Sequence, residues 1–166
     1  MNTPERKRII GISDLYVSSD TADVLITYAL GSCLGITFHD RYRQIGGMLH
    51  ALLPLASLDP TRAASSPATF VDTGIDLLLH ECLRRGASRA DIEVTVAGGA
   101  EIGFASDSDR FRVGYFNILE MKHAMNRHGL HLTHADTGGD RPRTLSLAID
   151  SGKVNIVTTS ALGRVA

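Results

Sequence analysis

The sequence has no tryptophan, only two cysteines and five prolines, and aromatic residues make up 5% of its 166 positions. So few aromatics leave no stacking platform for bases. Charge of one sign is also lacking: 17 Lys and Arg stand against 18 Asp and Glu, a formal net charge of −1. Without a basic excess there is no electrostatic footprint for nucleic acid. No Lys/Arg block adjoins an amphipathic stretch, so a membrane-surface helix is not supported.

Long hydrophobic runs are missing as well. Nothing approaches the roughly 20 apolar residues of a membrane span. The apolar stretch at 9–12, after Met1-Asn-Thr-Pro-Glu-Arg-Lys-Arg8, is too short for the core of a signal peptide. A cytoplasmic protein without direct membrane insertion is therefore the expectation. Two cysteines in a reducing compartment do not argue for a disulfide.

What is present is an ordinary globular composition, 43% hydrophobic and 21% charged. The length suits one domain over residues 1–166. Segments at 8–12, 24–28, 34–38, 44–50, 91–96, 111–115, 130–133, 144–149 and 154–158 read as strands, being short, Val/Ile/Leu/Thr-rich and bounded by Gly, Ser or Asp. The stretch 55–67, with Asp59-Pro60 and Ser66-Pro67, reads as a loop. A helix follows, capped by Ser65 or Ser66 with Pro67 in its first turn, and stops at Gly86 after Arg84-Arg85. A second helix is expected from Asn117, where Asn-Ile-Leu-Glu120 resembles a capping box, to Gly129. About nine strands and two main helices predict an α+β fold with mixed or antiparallel sheet layers. No glycine-rich loop joins a strand directly to a helix. Gly98-Gly99 leads instead into a polar loop containing Ser106-Asp-Ser-Asp109, so phosphate cradling is weakly supported.

The two cysteines differ in setting. Cys82 lies in Leu77-Leu-Leu-His-Glu-Cys-Leu83, a helical apolar pattern, and reads as a buried small hydrophobe. Cys33 follows Gly31-Ser32 at a turn into a strand. There, backbone N–H groups near Gly31 and Ser32 can support a thiolate or an oxyanion. A thiol nucleophile needs a base within hydrogen-bond reach. His50 ends the strand-like segment after the one that Cys33 begins, so an antiparallel hairpin through Asp40-Arg-Tyr-Arg43 brings the two to one end. Thr27, on the preceding strand, offers a hydroxyl or carbonyl to orient the imidazole, a task Asp and Asn perform more often. The residues alone leave open a catalytic pair, a core cysteine beside an interior histidine, and a redox-sensing thiol. His123, His128, His131 and His134 fit no i, i+4 ligand pair, so no metal or other cofactor is expected.

Thr27-Tyr-Ala-Leu-Gly-Ser-Cys33 and His50-Ala-Leu-Leu-Pro54 resemble segments of the CheD family, the chemoreceptor glutamine deamidases of bacterial chemotaxis. Later landmarks follow in the family's order: Ala97-Gly-Gly-Ala100, Val113-Gly-Tyr-Phe-Asn117 and Asp136-Thr-Gly-Gly139 with Arg141 and Arg143. The resemblance spans residues 9–157. It implies a fold like that of cysteine-dependent toxin deamidases, with Cys33 as nucleophile, His50 as general base and acid, and Thr27 positioning His50. It implies hydrolysis of receptor glutamines to glutamate through a thioester, on the receptors' cytoplasmic domains. It also implies binding to a CheC-type phosphatase, so the contrasting expectation is a mainly regulatory binding module. Departures are Leu52 where the family usually has Met, no basic residue before Asn117, and Pro142 in place of a small residue. Phe104 is a candidate partner-docking aromatic or a hydrophobic plug.

Overall fold

The strand at the centre of the molecule is covered on both sides, and this fixes the layering. A computed structural model describes residues 3–102 and 111–160; Phe104 and the 106–109 stretch lie outside them. Strand β4 (Leu34–Asp40) and its antiparallel neighbour β5 (Ile45–Ala51) are buried at every position. Alternation then assigns their side chains to two different layers. Leu34, Ile36, Phe38 and Leu49 pack with helix α2 (Val71–Arg84) and helix α3 (Val113–His128), through Ile75, Leu78, Cys82, Met121 and Met125. Met48 faces the other way, into a second core with Leu25, Leu30, Leu145, Leu147 and Ile149.

That second core separates two sheets. One has the order β2-β5-β4-β6-β7, using β2 (Asp14–Ser18), β6 (Ile92–Gly98) and β7 (Leu132–Thr137). The other has the order β1-β3-β8-β9, from β1 (Arg6–Ile9), β3 (Asp23–Leu30), β8 (Arg143–Ala148) and β9 (Val154–Thr158). Pairs β1–β3 and β6–β7 are parallel and the rest antiparallel, so the layers run sheet, sheet, helices. The expected mixed α+β fold is the observed one. No helix among the described residues is long and apolar enough to cross a membrane.

Several sequence expectations need correction. Residues 111–115 are not a strand, and α3 begins four residues before Asn117, with Arg112 in the left-handed region (φ 46°) at its N-cap. Gly114 is the physical reason: a Cβ there would stand 2.5 Å from the Gly99 carbonyl oxygen, so only glycine lets the helix start against that loop. Asn117 is buried within the helix and caps nothing, and Glu120 faces His123 and Arg127 instead. Strand β2 was not anticipated; it pairs along β5, Asp14 opposite His50. The 55–67 loop contains a short helix, α1 (Pro60–Ser65), capped by the Asp59 carboxylate on the Arg62 N–H. Pro67–Thr69 form a separate 3-10 turn, which moves the start of α2 to Val71.

Candidate active site

On strand β3 the inward positions are Asp23, Leu25 and Thr27, as a period of two requires. The alternation then breaks. Register slips between Thr27 and Leu30 against β8, and Ala29 adopts φ 55°. This bulge turns Leu30 inward instead of Ala29 and lifts the chain into the Gly31-Ser32-Cys33 turn, a common use of bulges beside functional sites.

The turn is held by its carbonyls. The Ala100 N–H donates to the Gly31 oxygen (2.9 Å) and the Gly99 N–H to the Cys33 oxygen (2.9 Å). The Asn117 side-chain amide donates to the Ser32 oxygen (2.9 Å). Gly98 makes the approach possible, since a Cβ there would lie 2.1 Å from the Cys33 oxygen. Arg143 braces the same region, donating to the Gly138 oxygen (2.6 Å) and pairing with Asp136 (3.1 Å). The glycine pairs noted in the sequence therefore meet around one short turn.

Register places Gly35 opposite His50. Cys33 shares the face of Gly35, so it stands one diagonal step from His50, a spacing that side chains bridge. Gly35 places no side chain between them, and a Cβ there would collide with Leu30 and Leu145. Cys33 is 7% exposed and His50 2%.

The hydrogen bonds of Thr27 settle the state of His50. Thr27 has one hydroxyl proton and gives it to the Ile10 carbonyl oxygen (2.7 Å), which cannot donate in return. Thr27 Oγ1 must then accept from His50 Nδ1 at 2.7 Å. The proton of the neutral ring is therefore on Nδ1, and Nε2 is left as a bare acceptor. It has no hydrogen-bond partner. Burial lowers the His50 pKa to about 4, so the ring is neutral at pH 7. Burial also raises the Cys33 thiol, while its own backbone N–H acts in the opposite direction. The resting pair is thus a thiol and a neutral imidazole whose free nitrogen can take a proton.

A cleft of about 100 Å³ borders the turn, lined by Gly31, Ser32, Glu101, Ile102 and Arg112. A larger apolar groove of about 580 Å³ runs between Leu53–Leu58 and α3, with Glu120 and His123 as its titratable lining. The smaller cleft is the one that borders the Gly31-Ser32 turn. Among the described residues no group of three or more His, Cys, Asp and Glu is gathered as for a metal; His128 is paired with Asp76 at 2.6 Å.

The structure thus brings Thr27 and His50 into direct contact, with Cys33, Gly31 and Ser32 at the adjoining turn. Sequence reasoning missed Asn117 as part of this site. The available signal was an amide on an otherwise mixed helix, taken for a cap.

A family model described as CheD chemotactic sensory transduction matches residues 52–158. A probable chemoreceptor glutamine deamidase CheD 1 from Syntrophus aciditrophicus is 41% identical over 146 residues, 88% of this chain and 90% of that protein. A probable chemoreceptor glutamine deamidase CheD from Pyrococcus abyssi is 41% identical over 147 residues, covering 89% and 88%. Among solved structures, a Neisseria meningitidis protein aligns over 81% of this chain and 64% of its own, at 9% identity and a TM-score of 0.48.

Proposed function

Because the chain belongs to the CheD family, we propose that it hydrolyses glutamine side chains of chemoreceptor cytoplasmic domains to glutamate, with Cys33 as the nucleophile. The reaction runs in the cytoplasm and uses no cofactor. The observation that carries the assignment of roles is the Thr27–His50 hydrogen bond, which leaves His50 Nε2 unprotonated and unpartnered beside the Cys33 turn.

His50 Nε2 takes the thiol proton as Cys33 Sγ forms a bond to the glutamine amide carbon. The carbonyl oxygen becomes an oxyanion, facing backbone N–H groups of the Gly31–Cys33 turn. As the oxyanion collapses, the carbon–nitrogen bond breaks and His50 passes its proton to the departing amine, releasing ammonia and leaving a thioester. Water then attacks the thioester carbon, and its proton goes to His50. Breaking the carbon–sulfur bond yields glutamate, and the proton returns to Cys33. Thr27 keeps the ring in the tautomer and orientation both halves need. Starting from a neutral pair suits this sequence, because His50 accepts a proton only while attack is under way.

The proposal extends to a CheC-type phosphatase as a regulatory partner. Exposed Phe111, Tyr115 and Phe116 on and beside the start of α3 supply an aromatic surface near the cleft.

The test is intact-mass analysis of a purified receptor cytoplasmic fragment incubated with the protein. Wild type should produce the small mass gain of NH₂ replaced by OH, with ammonia released; Cys33→Ala should produce neither. Continued deamidation by Cys33→Ala sinks the assignment.

A further inference from the structure

Asn117 is fully buried and lies one turn into α3, away from the helix ends where an asparagine usually serves. Its Nδ2 donates to two carbonyls from distant parts of the chain, Ser32 at 2.9 Å and Leu52 at 3.2 Å. Both neighbours are acceptors, so only the NH₂ end of the amide can face them. The other end, Oδ1, is buried with no partner. Such an orphan weakens a core and calls for a reason other than stability.

The two carbonyls supply the reason. Ser32 precedes Cys33, and no peptide bond among the described residues is cis. In a planar trans unit the C=O and the following N–H point in opposite directions. Holding the Ser32 oxygen toward α3 therefore turns the Cys33 N–H away from α3. That N–H belongs to the turn proposed above to face the oxyanion. Leu52 follows the end of β5, two residues beyond His50. One amide thus ties the turn bearing the nucleophile to the strand bearing the base.

We propose that Asn117 is a positioning residue for deamidation: it sets the orientation of the Cys33 backbone N–H and fixes the Cys33 turn against the His50 strand. It touches no reacting atom. Its effect passes through the Ser32–Cys33 peptide, where a misplacement of about 1 Å costs on the order of 100-fold in rate.

The inference rests on Cys33 being the nucleophile, and the experiment separates the two. Asn117→Leu keeps the branched side-chain shape and removes the donor pair and the orphan oxygen together. It should deamidate a receptor cytoplasmic fragment about 10- to 100-fold more slowly in kcat, with KM within about twofold of wild type. The rate at which iodoacetamide alkylates Cys33 in the folded protein, followed by peptide mass, should fall in parallel. Asn117→Asp should be comparably slow at pH 7 and recover as the pH is lowered toward 5, where protonation restores one donor. Wild type should show no such gain. Should Asn117→Leu not fold, Asn117→Asp carries the same readouts.

Unchanged kcat and alkylation in either folded variant overturn the inference. So does a lower kcat with unchanged Cys33 alkylation, since Asn117 would then act elsewhere. Persistent deamidation by Cys33→Ala instead overturns the reading of Cys33, while the alkylation comparison still reports on the turn.

Discussion

Cys33 and Cys82 are the same side chain, both buried, and burial pushes both thiols above their ordinary range, Cys82 to about 12. Their surroundings differ in kind. Cys82 lies on the inner face of α2 in the helix-facing core, packed with Ile75, Leu78 and Phe38 as a small hydrophobe. Cys33 sits on a turn whose three carbonyls are each claimed from outside, with an unprotonated His50 nitrogen on the same face of the sheet. Burial therefore does not distinguish the two thiols; the polar groups arranged around them do.

The largest effect that can break this contrast comes from making the same substitution at both positions. Cys33→Ser should lose deamidation by roughly 10³-fold or more, because a hydroxyl is a far weaker nucleophile beside the same base. Cys82→Ser should keep the wild-type rate and instead lower the urea midpoint, as it buries a hydroxyl among apolar groups. Equal losses of rate at the two sites would erase the distinction.

Next in size is Thr27→Val, similar in shape but without the hydroxyl. It strands the His50 Nδ1–H and the Ile10 carbonyl. With its tautomer no longer fixed, His50 should support a rate about 100-fold lower. A rate within about twofold of wild type, measured on the same receptor fragment, would show that Thr27 does not orient the base.

A different kind of effect falls on stability against pH. The folded pKa of His50, about 4, lies below its ordinary 6.5. Between those values the unfolded chain binds a proton that the folded protein refuses. The contribution is fully present above pH 6.5, is lost as the pH falls toward 4, and amounts to on the order of 3 kcal/mol. Denaturant titrations at pH 7, 5 and 4 should show this loss in wild type and a smaller one in His50→Gln. Identical pH dependence in the two proteins would place the loss in other groups.

Much of the fold was legible because alternation and punctuation agree along the chain. The hairpin of β4 and β5 follows from their Leu and Ile residues and the turn between them, and with it the approach of Cys33 to His50. Strand β2 was hidden by its brevity and by the left-handed Ser13 (φ 62°) before it. The start of α3 was misplaced because Asn117 looks like a local cap while its partners, Ser32 and Leu52, are 85 and 65 residues away. Thr27 was found through family resemblance, since no local pattern marks a threonine hydroxyl caught between an imidazole and a strand carbonyl. Local pattern encodes elements well; a tertiary hydrogen bond leaves almost no trace in it.

The capture of the Cys33 turn by Gly99, Ala100 and Asn117 also orders events in time. During synthesis the cysteine emerges long before the residues that grip its carbonyls, and a growing chain that ends before α3 holds the thiol without its cradle. Closing loops of that span is slow compared with forming local turns. The proposed nucleophile is therefore cradled only when folding is nearly complete, and a half-made chain carries its cysteine past its neighbours without that cradle.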